Sequence, residues 1–296
     1  MNKITNKSFN DISTAKRYLN QFIALSLLCF GFVPSIANAG ANLMVTPTRI
    51  VFEERMRTAQ ITLMNNGTEQ GDFRISFINQ VMTDDGEFEA VKADEKGLFA
   101  NSMVRYSPRQ ISLAPGQSQV VRLMLRKPRE LANGEYRSHL LFQSIPKASR
   151  SSIASAMDTN PEGITVEIIP VVGISIPVIV RHGKLHSELK LDNAAIVPAT
   201  EANPKSSISV DMHRSGNQSV YGDFRAIFTP NDGSESVIIA LANGVAIYAT
   251  NAFRQFTIPI NMPSGTSLKD GKVRILFLEF GKDEETGLIA ETHLTL

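Results

Sequence analysis

The sequence predicts an all-β protein built from two β-sandwiches. Short segments with alternating apolar and polar residues recur along the chain, as in residues 58–64 and 72–82. Turn signals such as residues 65–67 (NNG) and 231–233 (NDG) separate these segments about every 8 to 12 residues. Almost no segment has the 3.6-residue period of a helix. About seven short strands fall in each half of the chain, which favours two sandwiches over one.

The N-terminus has the pattern of an export signal. Lys16 and Arg17 precede an apolar run over residues 22–33, and residues 37–39 (ANA) form a small-residue cleavage site. We therefore expect residues 1–39 to be a cleaved signal peptide. The run is too short to span a bilayer, so no stable membrane insertion is expected. The single cysteine, Cys29, lies in this segment, which leaves the exported part without a disulfide.

The composition offers little basis for nucleic-acid binding or catalysis. The formal net charge is +1, and four of the basic residues belong to the predicted signal peptide. Such a near-neutral chain lacks the basic patch that nucleic-acid binding requires. No catalytic or phosphate-binding motif occurs. His182 and His186 are the nearest pair of histidines, and their spacing on a strand does not suit two metal ligands. We expect no enzyme activity, no cofactor and no metal site.

The longest apolar stretch, residues 164–180 (ITVEIIPVVGISIPVIV), alternates like a single strand. Pro170 and Pro177 lie an odd number of residues apart, so their nitrogens point to opposite sides of a regular strand. Proline belongs on a sheet edge or at a bulge, and Gly173 is the natural place for that bulge. The sequence therefore predicts a long, kinked strand with one open edge.

An open apolar edge has two interpretations. It is either an ordinary core strand that another segment covers, or an edge kept open for a partner strand. The alternating apolar face of this stretch carries Ile164, Val166, Ile168, Val172, Ile174, Ile176, Val178 and Val180.

Other local signals complete the sequence prediction. Residues 134–136 (GEY), just before a strand, resemble a tyrosine corner. The segment 181–183 (RHG) is expected to be a hinge between the two halves. In the second half, residues 243–244 (NG) are expected to form a turn between two strands.

The first half of the chain resembles the periplasmic chaperones of the chaperone–usher pathway, the PapD-like group. In chain order, the pieces that carry this resemblance are residues 48–52 (TRIVF), 63–66 (LMNN), 106–108 (YSP), 113–116 (LAPG), 121–123 (VRL), 145–146 (IP), and the end of the apolar strand at Val180 and Arg181. The second half is similar mainly in position and in its number of strands.

The resemblance implies two immunoglobulin-like domains in a boomerang arrangement, with a cleft between them. The domains would cover residues 40–181 and 182–296, and residues 164–180 would be the donor strand. This strand would be lent to a pilus or fimbrial subunit that lacks its own last strand, which is donor-strand complementation. The candidate donor residues are Ile164, Val166, Ile168, Val172 and Ile174. The implied location is the periplasm, and the implied second partner is an outer-membrane usher. An open donor edge also allows self-association of the unoccupied chaperone.

The resemblance also assigns an anchor for the carboxylate at the C-terminus of the subunit. Arg49 matches the arginine that grips this carboxylate in the cleft. The lysine that the family places late in the donor strand has no counterpart between Glu167 and Lys184. Arg49 therefore acts alone, or Arg181 or Arg137 takes the place of the lysine. The alternative function is a secreted structural or adhesive protein made of two β-sandwiches.

Overall fold

The protein is described by a computed structural model over residues 42–91, 98–146, 171–201, 203–262 and 268–296. The predicted signal peptide and the first part of the predicted donor strand lie outside these ranges. Within them, eighteen strands and one short helix are present. The prediction of an all-β fold with two sandwiches is confirmed, because two separate hydrophobic cores each lie between a pair of sheets.

The first sandwich contains eleven strands. They are β1 (Leu43–Thr46), β2 (Ile50–Phe52), β3 (Thr58–Asn65), β4 (Gly71–Ile78), β5 (Gln80–Met82), β6 (Phe88–Ala90), β7 (Val104–Ser107), β8 (Gln110–Leu113), β9 (Ser118–Leu125), β10 (Gly134–Ser144) and β11 (Gly173–His182). One sheet has the order β1-β3-β9-β7, and the facing sheet has the order β2-β11-β10-β4-β8. Strands β5 and β6 form a separate hairpin.

Alternating residues explain why these segments are strands. In β3 the residues Ala59, Ile61 and Leu63 are buried while their neighbours are exposed or half-buried, and β9 repeats the pattern with Val121 and Leu123. Each such strand places one apolar face on the core and one polar face in solvent. The two sheets therefore close on a shared core without any helix.

The chain crosses between the two sheets at two proline-containing segments. Strand β1 belongs to one sheet and β2 to the other, and the connection contains Pro47 and Arg49. Strands β7 and β8 likewise belong to opposite sheets and are separated by Pro108 and Arg109. Proline cannot donate a ladder hydrogen bond, which suits it to these crossings. The first crossing places Arg49 beside the first sandwich core, where it faces the second sandwich.

A tyrosine corner supports the immunoglobulin-like architecture. The hydroxyl of Tyr136, at the start of β10, donates a hydrogen bond of 3.1 Å to the carbonyl of Ala132. This bond back to an upstream carbonyl defines the motif in immunoglobulin-like sandwiches. The resemblance seen in residues 134–136 is thus confirmed.

The second sandwich contains the remaining strands. They are β12 (Ser187–Val197), β13 (Ser207–Gly216), β14 (Val220–Pro230), β15 (Val237–Ile247), β16 (Phe253–Pro259), β17 (Gly271–Glu279) and β18 (Leu288–Thr295), with helix α1 (Glu284–Gly287) before β18. One sheet has the order β12-β13-β16, and the other has the order β15-β14-β17-β18. Their core includes Phe224, Phe228 and Phe277, none of which is exposed.

The turn expected at residues 243–244 is wrong, because both residues lie inside β15. The pairing with β14 shifts register between Gly222 and Phe224, so the segment forms a bulge. Gly244 has φ +73°, and its amide donates a 3.0 Å hydrogen bond to Oδ1 of the buried Asp223. An Asn-Gly pair fits a bulge as well as a hairpin turn, since both need a positive φ.

The predicted hinge at residues 181–183 is also wrong for its first two residues. Arg181 and His182 are the last residues of β11, and they pair with Glu135 and Gly134 of β10. Gly183 follows the strand with φ +75°. The strand ends here because a positive φ departs from the extended conformation, and glycine suits the position because L-residues seldom adopt such a φ.

The β5–β6 hairpin contacts the second sandwich directly. The carbonyl of Met82 accepts a 2.7 Å hydrogen bond from Nδ2 of Asn251, and the carbonyl of Asp84 accepts one of 2.7 Å from the amide of Gln255. The ring centre of Phe88 lies 6.0 Å from the ring centre of Tyr248. These contacts join the two sandwiches through hydrogen bonds as well as through apolar packing.

In the residues that the structure describes, no helix has the length and apolar character needed to cross a membrane.

Candidate functional site

Strand β11 has different neighbours along its length. On one side it pairs with β10 in an unbroken antiparallel register from Gly173 to His182. On the other side β2 runs parallel to it, and only at residues 178–180. No described strand covers this side at residues 173–177, which we call the open edge. The bulge predicted at Gly173 is wrong, because Gly173 pairs with Gln143 of β10 and the register continues from there without a shift.

The first three predicted donor residues, Ile164, Val166 and Ile168, lie outside the described part of the chain. Val172 precedes β11 and is 67% exposed. Its carbonyl accepts a 2.8 Å hydrogen bond from the amide of Ser144, so the pairing with β10 extends to this residue. Ile174 is half-buried and packs against the first core. The structure therefore places Val172 at the exposed end of a row that continues into the core.

The buried end of the same row fixes β11 in the first sandwich. Ile176, Val178 and Val180 are at most 2% exposed and belong to the first core. Ile179, on the opposite face, is fully buried and packs with Met82 and Tyr248 between the two sandwiches. The last part of β11 is thus inside the protein on both faces.

A cleft of about 570 Å³ lies between the two sandwiches. Its first wall includes Arg49 and Val51 from the region of β2, together with Arg181 from β11. Its second wall includes Tyr221 from β14 and Phe280 just after β17. The two arginines predicted as a carboxylate anchor therefore line one cleft, but their surroundings differ.

Arg49 has aromatic neighbours and no acidic partner. Its guanidinium carbon lies 4.2 Å from the ring centre of Tyr221 and 5.8 Å from that of Tyr248. Among the described residues, no hydrogen bond or ion pair reaches this guanidinium, and its Nη2 is buried. Cation–π contacts hold the side chain in place, but they leave its N–H donors unused. An arginine in this condition is suited to bind an anion.

Arg181 already has acidic partners. Its guanidinium forms ion pairs with Glu53 and, through Nε at 3.1 Å, with the buried Glu135. Glu135 also accepts a 2.9 Å hydrogen bond from the hydroxyl of Ser219 in the second sandwich. The charge of Arg181 is therefore balanced, and its contacts link the two sandwiches.

Arg137, the other substitute considered for the missing lysine, does not line this cleft. Its guanidinium carbon stacks 3.5 Å from the ring centre of Tyr248, and its Nη2 donates a 2.9 Å hydrogen bond to the carbonyl of Gln80. Burial lowers the pKa of Arg137 from its usual value. The side chain fixes the β5–β6 hairpin against the second sandwich.

Sequence reasoning missed the aromatic side of the site. Tyr221, Tyr248 and Phe280 come from the second half of the chain, far from Arg49 in sequence. Nothing in their local patterns distinguishes them from other aromatic residues of a sandwich. Only the docking of the two sandwiches brings them to Arg49.

One group of potential metal ligands occurs in the described residues, namely Asp192, Asp211 and His213 on the outer face of β12 and β13. Asp192 already pairs with Lys190 at 2.8 Å and with His213 at 3.1 Å. Oδ2 of Asp211 accepts a 2.9 Å hydrogen bond from Asn193. These contacts account for the group without a metal ion.

Comparison with known protein families identifies the first sandwich. Residues 42–181 match the family model of the pili and flagellar-assembly chaperones, PapD N-terminal domain. The match covers almost the whole of the first sandwich and stops before the second. The resemblance stated from the sequence is therefore confirmed for this PapD-like domain. The matched range includes Arg49, the open edge and Arg181.

Several solved chaperone structures are similar to the chain as well. The CupB2 chaperone of Pseudomonas aeruginosa is 12% identical and covers 86% of this chain and 100% of its own, with a TM-score of 0.40. A chain of the Salmonella enterica SafA pilin–SafB chaperone complex is 14% identical and covers 86% of this chain and 96% of its own, also at 0.40. The E. coli chaperone DraB is 12% identical and covers 87% and 99%, at 0.38. No curated protein matches the chain.

Proposed function

We propose that the protein is a periplasmic chaperone that binds pilus or fimbrial subunits by donor-strand complementation and delivers them to an outer-membrane usher. The observation that carries the proposal is the open edge of β11, which the exposed Val172 extends. The PapD N-terminal domain of the chain supports the chaperone role. The predicted signal peptide supports the periplasmic location.

The donor strand supplies both backbone and side-chain interactions. A subunit strand that pairs with the open edge gains main-chain hydrogen bonds, as in other cases of β-strand addition. The row Ile164, Val166, Ile168, Val172 and Ile174 fills the groove of the subunit. Each buried apolar side chain contributes about 1.5–3 kcal/mol before entropy losses. This gain is of the same order as the cost of ordering a strand, which is about 1–2 kcal/mol per residue, so the main-chain hydrogen bonds contribute to the net affinity.

The cleft between the sandwiches supplies the anchor. Arg49 holds the carboxylate at the C-terminus of the subunit, since its guanidinium has unused donors and no acidic partner. Arg181, the second candidate of the anchor, lies in the same cleft. Its ion pairs with Glu53 and Glu135 give it a supporting role that keeps the cleft in shape.

The test is capture of the subunit with a matched pair of variants. The tagged protein is purified from periplasmic extract of cells that assemble pili, and bound proteins are identified by mass spectrometry. We expect a stoichiometric small β-rich subunit, and we expect its loss in Val172→Asp. Val197→Asp is the control, since Val197 is 40% exposed at the end of β12 and does not line the cleft.

Two outcomes would contradict the proposal. Equal capture by Val172→Asp and Val197→Asp would remove the donor role of β11. Recovery of the protein without any partner, or as polymers on the cell surface, would instead support a secreted structural or adhesive protein. Circular dichroism of each variant shows whether it is folded.

A further inference from the structure

The second sandwich presents an apolar surface inside the cleft. The ring of Phe280 is 4.9 Å from the ring of Tyr221, measured between centres, and Phe280 is 51% exposed. Ile289, on β18, lines the same cleft and is 39% exposed. We call Tyr221, Phe280 and Ile289 the aromatic shelf. An exposed aromatic ring in a concave site leaves apolar area that a ligand can cover.

The aromatic shelf is continuous with the unpaired arginine. Arg49 lies against Tyr221, with its guanidinium carbon 4.2 Å from the ring centre. The other charged groups of the cleft are Arg181, which is paired with Glu53 and Glu135, and Glu279, which is exposed. Arg49 is thus the arginine of the cleft without an acidic partner, and it lies next to an apolar surface in a cleft that Glu279 also lines.

We propose that the aromatic shelf recognises the side chain of the last residue of the bound subunit, and that it selects an aromatic side chain. This inference rests on the proposed binding of the C-terminal carboxylate by Arg49. The last residue of a polypeptide carries its carboxylate and its side chain on one Cα atom. A ligand with both groups on one residue matches a guanidinium and an apolar shelf that share Tyr221.

The groups that line the cleft further restrict which ligands fit it. An internal aspartate or glutamate offers Arg49 a carboxylate but leaves the aromatic shelf uncovered. A terminal residue with an acidic side chain would meet Glu279, which has the same charge sign. The aromatic shelf therefore makes Phe280 and Tyr221 specificity-determining residues for the C-terminus of the subunit.

The experiment uses short peptides with one variable end. N-acetylated Gly-Ser-Gly-Ser-Phe is titrated into the purified protein, and binding is followed by NMR chemical shifts. The matched peptides end in Ala, in Asp, or in Phe with an amidated C-terminus. We expect the Phe peptide to bind about tenfold more tightly than the Ala peptide, which corresponds to burial of part of one aromatic ring. We expect the Asp peptide and the amidated peptide to bind more weakly than the Phe peptide.

Variants separate the aromatic shelf from the anchor. Phe280→Ala is expected to remove most of the preference for Phe over Ala while the free carboxylate is still required. Arg49→Ala is expected to remove the difference between the free acid and the amide. Leu241→Ala is the control for loss of an exposed apolar side chain, because Leu241 is 51% exposed on β15 and does not line the cleft.

The outcomes distinguish this inference from the proposed function. Equal binding of the Phe and Ala peptides, an unchanged preference in Phe280→Ala, or no binding of any peptide would overturn the role of the aromatic shelf. None of these results changes the capture of a subunit through Val172, which tests the donor strand independently. If the wild-type protein captures no subunit, the proposed function fails and this inference fails with it.

Discussion

In β11, residues 178–180 lie between β10 and β2, whereas residues 173–177 pair with β10 alone among the described strands. The apolar row is the same in both parts, yet Val178 is fully buried and Val172, before the strand, is 67% exposed. One end of the row therefore stabilises the first sandwich, and the other end is available to a partner. Alternating apolar residues alone do not tell these two situations apart.

The largest loss of stability is expected from a substitution in residues 178–180 of β11, which lie between β10 and β2. Val178→Asp places a charge where the side chain is 0% exposed, and no partner is present to balance it. We expect the free energy of unfolding to fall by about 4 kcal/mol or more. Chemical denaturation measures this change. A variant as stable as the wild type would mean that β11 is not part of the core at Val178.

The second largest effect is a pH dependence of stability that comes from His139. This residue pairs with Pro177, the last residue of the open edge of β11. Burial, with the nearby charges of Arg137 and Arg49, lowers the pKa of His139 from 6.5 to about 4. The unfolded chain therefore takes up this proton at a higher pH than the folded chain does. Stability is complete above pH 6.5 and falls as the pH drops towards 4, by up to about 3 kcal/mol.

Denaturation at pH 7 and pH 4.5 tests this expectation, with His139→Leu as the comparison. Titration of carboxylates affects both proteins, so the relevant quantity is the difference between their pH dependences. We expect the variant to lose about 2–3 kcal/mol less than the wild type over this range. Identical pH dependences would show that His139 does not contribute.

The two arginines of the cleft are expected to differ in how they affect stability and subunit binding. Arg181→Ala is expected to lower the free energy of unfolding by about 2 kcal/mol, because the buried Glu135 loses its ionic partner. Arg49→Ala is expected to cost only about 0.5–1 kcal/mol, the strength of a cation–π contact, but to reduce subunit capture strongly.

Denaturation and capture are measured on both of these variants, with the exposed Arg122→Ala on β9 as the control. If Arg181→Ala reduced capture without reducing stability, Arg181 would be the anchor instead of Arg49.

The smallest effect on stability is expected at the open end. Val171 and Val172 are 50% and 67% exposed, so an aspartate at either position should change the free energy of unfolding by less than about 0.5 kcal/mol. Their side chains point to opposite faces of the extended strand. Val172→Asp should therefore reduce subunit affinity more than Val171→Asp does. The reverse order, measured by titration with purified subunit, would place the donor row on the other face.

Much of the fold could be predicted from the sequence, because each sheet has one buried face and a period of two. The alternation at Ala59, Ile61 and Leu63 and the tyrosine corner at Tyr136 illustrate this. Arg49 was found only through the resemblance to a family, since an arginine near a strand has no distinguishing local pattern.

The errors have physical reasons of a different kind. Residues 243–244 were expected to form a turn, but the positive φ of Gly244 serves a bulge held by Asp223. Gly173 was expected to form a bulge, but it lies in a regular register with β10. In both cases the decision depends on a neighbouring strand that is distant in sequence. The aromatic neighbours of Arg49 could not be predicted from the sequence for the same reason, because the docking of the two sandwiches brings them to it.

The β5–β6 hairpin has a consequence for the entropy of binding. Its carbonyl groups at Met82 and Asp84 accept hydrogen bonds from Asn251 and Gln255, and its Phe88 ring lies near Tyr248. These contacts restrict rotation of one sandwich against the other in the unoccupied protein. The separation of the walls that carry Arg49 and Phe280 is therefore expected to vary less. A preorganised cleft loses less conformational freedom when it is filled, so more of its interaction energy appears as affinity.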